Sequence, residues 1–74
     1  MREVKFDHVE MRRRREALGL MQGWMARKLG VVASRLCAYE RYGVPMDKAR
    51  GAEIEGVMDG IYRGYEGVST GGGE

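Results

Sequence analysis

The chain has 74 residues, 43% of them hydrophobic and 32% charged, with a net charge of +2. That length sets a ceiling of one compact domain, and no apolar run approaches the roughly 18 residues that span a bilayer. The lone Cys37 excludes an internal disulfide or a multi-cysteine metal site and, with no signal-peptide core after the start, points to a cytoplasmic protein.

Residues 1–6 are polar with Val4 and Phe6 alternating, which reads either as a disordered start or as an extended segment that packs Phe6 on the body. Asp7 with Glu10 three positions later has capping-box spacing and predicts a first helix over 8–18, with Met11 and Leu18 on one face. Gly19 ends it with a positive backbone angle, and Leu20 turns back into the core. A second helix is expected over 22–29 with Met25, Ala26 and Leu29 inward, closed by Gly30 and followed by Val31 as a corner plug. A third is expected from 33 to 39 or 40, with Leu36 and Tyr39 inward. Its capping position is Val32, which has no side-chain acceptor. Pro45 then suits the first position of a short fourth helix over 46–50. A fifth, from 52 to 62 or 65, has Ile54, Val57, Met58, Ile61 and Tyr65 in one inward stripe. Residues 1–66 thus form the domain and 67–74 a flexible Gly-rich tail.

The small net charge conceals a split. Residues 1–50 carry +6 and residues 51–74 carry −4. A basic body with an acidic end suits a domain that binds a polyanion. Ten Arg against three Lys, with no Asn, hints at a GC-rich coding genome such as an actinobacterium or one of its phages.

Arg15, Gly19, Leu20, Gln22, Met25, Ala26, Leu29, Gly30, Val31, Leu36, Tyr39, Glu40 and Pro45 stand in an order and spacing, ungapped to Glu40, that resembles the Cro/lambda-repressor-like (xenobiotic-response-element) helix-turn-helix family. The resemblance covers residues 11–45. It implies an all-α, lambda-repressor-like bundle of about five helices in which helices 2 and 3 form the motif. It also implies a small sequence-specific binder of double-stranded DNA, a repressor or Cro-like switch protein of a phage or bacterium, with helix 3 in the major groove.

By position, the resemblance makes Ala33, Ser34 and Ala38 base-contacting, with Arg35 and Cys37 beside them, and Arg35 joins the base-contacting set; it makes Gln22 and Arg41 phosphate-contacting, and Tyr42 next to Arg41 is a further phosphate candidate. It also pairs Arg15 with Glu40 as a partly buried ion pair. Ala33 and Ala38 offer only methyl contacts and Ser34 is promiscuous, so Arg35 is the one side chain able to hold guanine with two hydrogen bonds. Val32 and Met21 stand where the family has Ser or Thr, which removes two phosphate contacts. Tyr42 replaces the family's Gly, and Gly43 follows one place later.

Other residues carry two readings each. The Arg12–Arg13–Arg14 run either grips phosphate with one or two members, Arg12 and Arg14 being the candidates, or forms a solvated face. Trp24 either anchors a protein partner or covers the side of the core against Phe6 or Tyr62. Gly56, Gly60 and Gly64 either let a second copy approach, with Tyr62 and Tyr65 as further contacts of a homodimer, or mark a frayed helix. Cys37 reads as an inert small hydrophobe before a redox sensor, and His8 as a solvated polar residue. One His, one Cys and no Gly-rich phosphate loop assemble no catalytic pair, no metal set and no cofactor cradle. The competing function is a protein-interaction module of the same fold, anti-repressor or antitoxin-like, favoured by the apolar Val32, Ala33 and Ala38 and by Trp24.

Overall fold

Asp7 opens the first helix by accepting the Glu10 amide hydrogen on its carboxylate at 2.9 Å, with its own backbone extended. The structure, a computed structural model, describes the backbone of residues 6–72 and the side chains of residues 6–67. Helix α1 (His8–Ala17) buries Met11 and Arg15, one turn apart, and leaves the rest of its arginine run on other faces. Helix α2 (Gln22–Leu29) buries Met25 and Ala26 and ends on Gly30 in the left-handed region. Helix α3 (Ala33–Tyr42) buries Leu36, Tyr39 and Glu40. It runs past the expected end because the left-handed cap is supplied only at Gly43, whose amide bonds the Tyr39 carbonyl at 2.8 Å. Neither α2 nor α3 has a side-chain cap at its start, since Met21 and Val32 stand there.

The short fourth helix expected over residues 46–50 does not form. Asp47 Oδ1 instead accepts the amide hydrogens of Ala49 and Arg50 at 2.8 and 2.7 Å, closing a local turn that competes with helical bonding. Met46 is driven into the core from this turn. The chain therefore has four helices among the described residues, not five, and the fold class is all-α.

Helix α4 (Gly51–Gly72) is much longer than the expected fifth helix and continues to Gly72, where the sequence suggested a Gly-rich tail; residues 73–74 lie outside the described residues. Its buried stripe is Ile54, Met58 and Tyr62, each one turn on from the last, with Ile61 half-buried beside them. Val57 and Tyr65, expected inward, are exposed. Val57 lies about 100° from the middle of the stripe, and α1 and α2 cover only the stripe side. The core unites all four helices, and four of its nine buried hydrophobics are methionines, whose flexible thioethers fill the irregular gaps of so small an interior.

Candidate nucleic-acid interface

The position of α3 is set from beneath by one carboxylate. Glu40 is almost wholly enclosed, its side chain 1% exposed. Arg15 donates to it from Nε at 2.8 Å and from Nη2 at 3.0 Å, a two-bond fork, and Gln22 Nε2 donates at 3.0 Å. A third Arg15 nitrogen, Nη1, donates to the Leu20 carbonyl at 2.7 Å. These four bonds tie together α1, the α1–α2 loop, the start of α2 and the last turns of α3. Hydrogen bonding to Glu40 holds the Arg15 guanidinium more firmly protonated than usual, against the opposing effect of burial.

With Leu36, Tyr39 and Glu40 inward, α3 turns Ser34 away from the core, and Ala33 and Arg35, on its uncovered first turn, are exposed as well. Ala38 and Cys37 are half-buried at the edge of that face, and Cys37 is a free thiol. Arg41 and Tyr42 extend the surface at the far end of α3, where the Arg41 guanidinium lies 5.8 Å from the Tyr42 ring centre. Gln22 is half-buried and bound to Glu40, but an amide group carries two hydrogens, so one remains for a further acceptor.

The structure separates the arginine run. Arg12 pairs with Glu16 at 3.0 Å and Arg13 with Glu10 at 3.1 Å, both pairs in open solvent. Arg14, expected to contact phosphate, is turned inside instead. Its side chain is 10% exposed and donates to Asp59 at 2.7 Å and to Glu66 at 2.8 Å. Its guanidinium also lies 4.4 Å from the Phe6 ring centre and 5.3 Å from that of Tyr62. These bonds, the Glu66 bond first, raise the Arg14 pKa against the opposing effect of burial and occupy its guanidinium with two carboxylates of the chain's own.

Tyr62 leaves the set of dimer contacts for a similar reason: it is fully buried. Burial pushes its hydroxyl pKa up, and that hydroxyl has no hydrogen-bond partner among the described residues. Gly56, Gly60 and Gly64 face open space. Trp24 is half-buried and packs on the core cluster that includes Tyr62, and its ring meets Tyr65 in an edge-to-face contact at 6.0 Å. With Lys28, Gly60, Ile61 and Gly64 these two rings line a shallow groove of about 390 Å³.

Sequence reasoning missed three features. His8 is half-buried and bonded to the α3 backbone, a contact no local spacing signals. The Arg14–Asp59–Glu66 cluster joins Arg14 to carboxylates 45 and 52 positions away. A second groove, of about 400 Å³, joins Val32 and Arg35 to Met46, Asp47 and Lys48, which only the folded turn brings together. Among the described residues no three His, Cys, Asp or Glu side chains gather to hold a metal ion, and no helix is long and apolar enough to cross a membrane. Comparison of the chain with protein-family models, with curated proteins and with solved structures gives no match.

Proposed function

We propose that the chain is a small cytoplasmic DNA-binding regulator of the helix-turn-helix kind, in which α2 and α3 form the motif and α3 enters the major groove of duplex DNA. The observation that carries this reading is the contrast between the anchored and the open parts of α3. Its inner face is clamped through Glu40 to Arg15 and Gln22, while Ser34 on the opposite face and Ala33 and Arg35 on the uncovered first turn are exposed to solvent. A reader needs such a rigidly held helix with a free outer side. The ordered match of residues 11–45 to the Cro/lambda-repressor-like pattern supports the same reading and suggests a repressor or Cro-like switch of a phage or bacterium. Arg35 supplies the one fork suited to guanine. Arg41, Tyr42 and the remaining Gln22 hydrogen supply phosphate contacts that fix orientation without reading sequence.

Selection of bound sites from random duplex DNA at physiological salt tests this. An enriched motif supports the reading, and a palindromic one adds a two-fold dimer with half-sites about one helical turn apart. Recovery of no motif, with no salt-dependent retention of duplex, overturns it.

One observation favours a second reading, an anti-repressor or antitoxin-like protein-interaction module. The Trp24–Tyr65 groove presents aromatic surface of the kind that anchors protein partners. Duplex binding that is absent, together with a protein partner lost on Trp24→Ala, supports this alternative.

A further inference from the structure

The groove between the start of α3 and the 46–50 turn holds an arrangement that the DNA-binding reading does not use. Arg35, the candidate guanine reader, shares it with Lys48, also exposed, and with Asp47. No ion pair joins Arg35 to Asp47 among the described residues, so the two act on one another through the field across the groove. The Asp47 carboxyl is held below the usual carboxylate range, first by the amide hydrogens of Arg50 and Ala49 and then by the Arg50 and Arg35 cations. It therefore carries its full negative charge at neutral pH.

A guanidinium fork fits a phosphate as well as it fits the O6/N7 edge of guanine. Arg35 beside Lys48, with nothing else in the groove, would be a phosphate trap that holds every sequence equally. A fixed negative charge changes that balance, because like-charge repulsion acts on an anionic phosphate far more than on a neutral base edge. We infer that Asp47 is a specificity-determining residue: it keeps backbone phosphates out of the Arg35–Lys48 groove and leaves Arg35 to base edges. This assignment rests on the DNA-binding reading above.

Asp47→Asn tests it, since the amide oxygen can still accept the Ala49 and Arg50 hydrogens that hold the turn while the charge is gone. Affinity is measured for the selected site and for random duplex across a salt series, with circular dichroism as the check on folding. Random-duplex affinity should rise about threefold, the size of one exposed charge acting through water over a few ångströms. The selected site should gain less, so that selectivity falls, and the salt slope for random duplex should steepen by about one phosphate contact. In an Arg35→Ala background the same substitution should leave selectivity unmoved. Should the Asn chain melt early, Asp47→Ser offers the turn a hydroxyl and is read in the same way. Equal gains on both duplexes, or none on either, in a chain whose wild type is sequence-selective overturn the assignment of Asp47 alone. A wild type that retains no duplex at low salt overturns the DNA-binding reading and this assignment with it.

Discussion

The His8 imidazole and the Glu40 backbone, 32 positions apart, are joined at 3.0 Å through Nδ1 and the carbonyl oxygen. The carbonyl can only accept, so Nδ1 carries the hydrogen. The ring also meets Tyr39 edge-on at 6.2 Å and lies over Gly43, the left-handed residue that ends α3. The first residue of α1 thereby satisfies one of the carbonyls left open at the end of α3.

Gly30 and Gly43 have nearly the same backbone angle, φ 74° and 76°, but different surroundings. A Cβ at Gly30 meets open space, whereas one at Gly43 would stand 2.8 Å from His8 Cδ2. Gly30→Ala should cost about 1 kcal/mol, the left-handed penalty alone. Gly43→Ala should cost about 2 kcal/mol, because it also displaces the His8 ring from its hydrogen bond. In a His8→Ala background the two should converge. Urea unfolding of the six chains (wild type, His8→Ala and both glycine variants in each background) measures this, and equal costs with His8 present would show that the ring contributes nothing there.

Glu40 and Arg15 invite a different cycle. Glu40→Ala leaves Arg15 enclosed without its counter-charge and should cost about 3–5 kcal/mol, enough to unfold most of so small a protein. Arg15→Met combined with Glu40→Met removes both charges together and should melt at a higher temperature than either single change. Calorimetry or far-ultraviolet dichroism distinguishes these outcomes.

The buried Tyr62 hydroxyl predicts the opposite sign. Tyr62→Phe removes a polar atom that has lost water and gained no described partner, so stability should hold or rise by up to about 1 kcal/mol. Tyr62→Ala should cost about 3–5 kcal/mol through the cavity it opens. A fall in melting temperature on Tyr62→Phe would mean that the hydroxyl is bonded.

Acid should loosen α1 from α4. Burial raises the Asp59 pKa, but bonds from Arg14 and Arg63 outweigh it and the net shift is downward; the Arg14 bond lowers that of Glu66. Carboxyls with lowered folded-state pKa values contribute stability that is complete above their ordinary values, 3.8 and 4.5, and is lost as pH falls through the lowered ones. Thermal stability should therefore drop below about pH 4, and Arg14→Ala should flatten the drop. At neutral pH Arg14→Ala should cost about 2 kcal/mol, while Arg12→Ala and Arg13→Ala should cost under about 0.5 kcal/mol as exposed pairs.

On DNA, Arg35→Ala should weaken the selected site most, by about tenfold or more, since a two-bond guanine contact carries discrimination. Arg41→Ala should weaken all sequences alike and reduce the salt slope by about one. Titrations on selected and random duplex at three salt concentrations separate the two patterns. Equal losses from both substitutions on every sequence would count against α3 as the reader.

What could be read from the sequence divides along physical lines. Asp7 as a cap, Gly30 as a stop, and Met25, Ala26, Leu36 and Tyr39 as inward positions follow from local stereochemistry and helical periodicity, and all are present in the structure. Residues 46–50 were misread because the Asp47 side chain competes for amide hydrogens that a helix would use. Arg14 was misread because its two carboxylates lie 45 and 52 positions away, beyond any local pattern. The His8 contact, 32 positions apart, lies beyond local patterns in the same way. Exposure of Ala33, Ser34 and Arg35 was legible; the Asp47 charge beside Arg35 was not, because only the folded turn brings it there.

Glu40 has one further consequence, for how the chain can change over generations. The side-chain bonds that reach α3 from α1 and α2 all attach at Glu40, near its end, and its exposed leading residues, Ala33, Ser34 and Arg35, take no side-chain part in them. New residues can therefore arise at those three places without tilting the helix or draining the fold of stability. The anchored end of α3 and its open first turn are thus separable, and substitutions can accumulate at one while the other stays fixed.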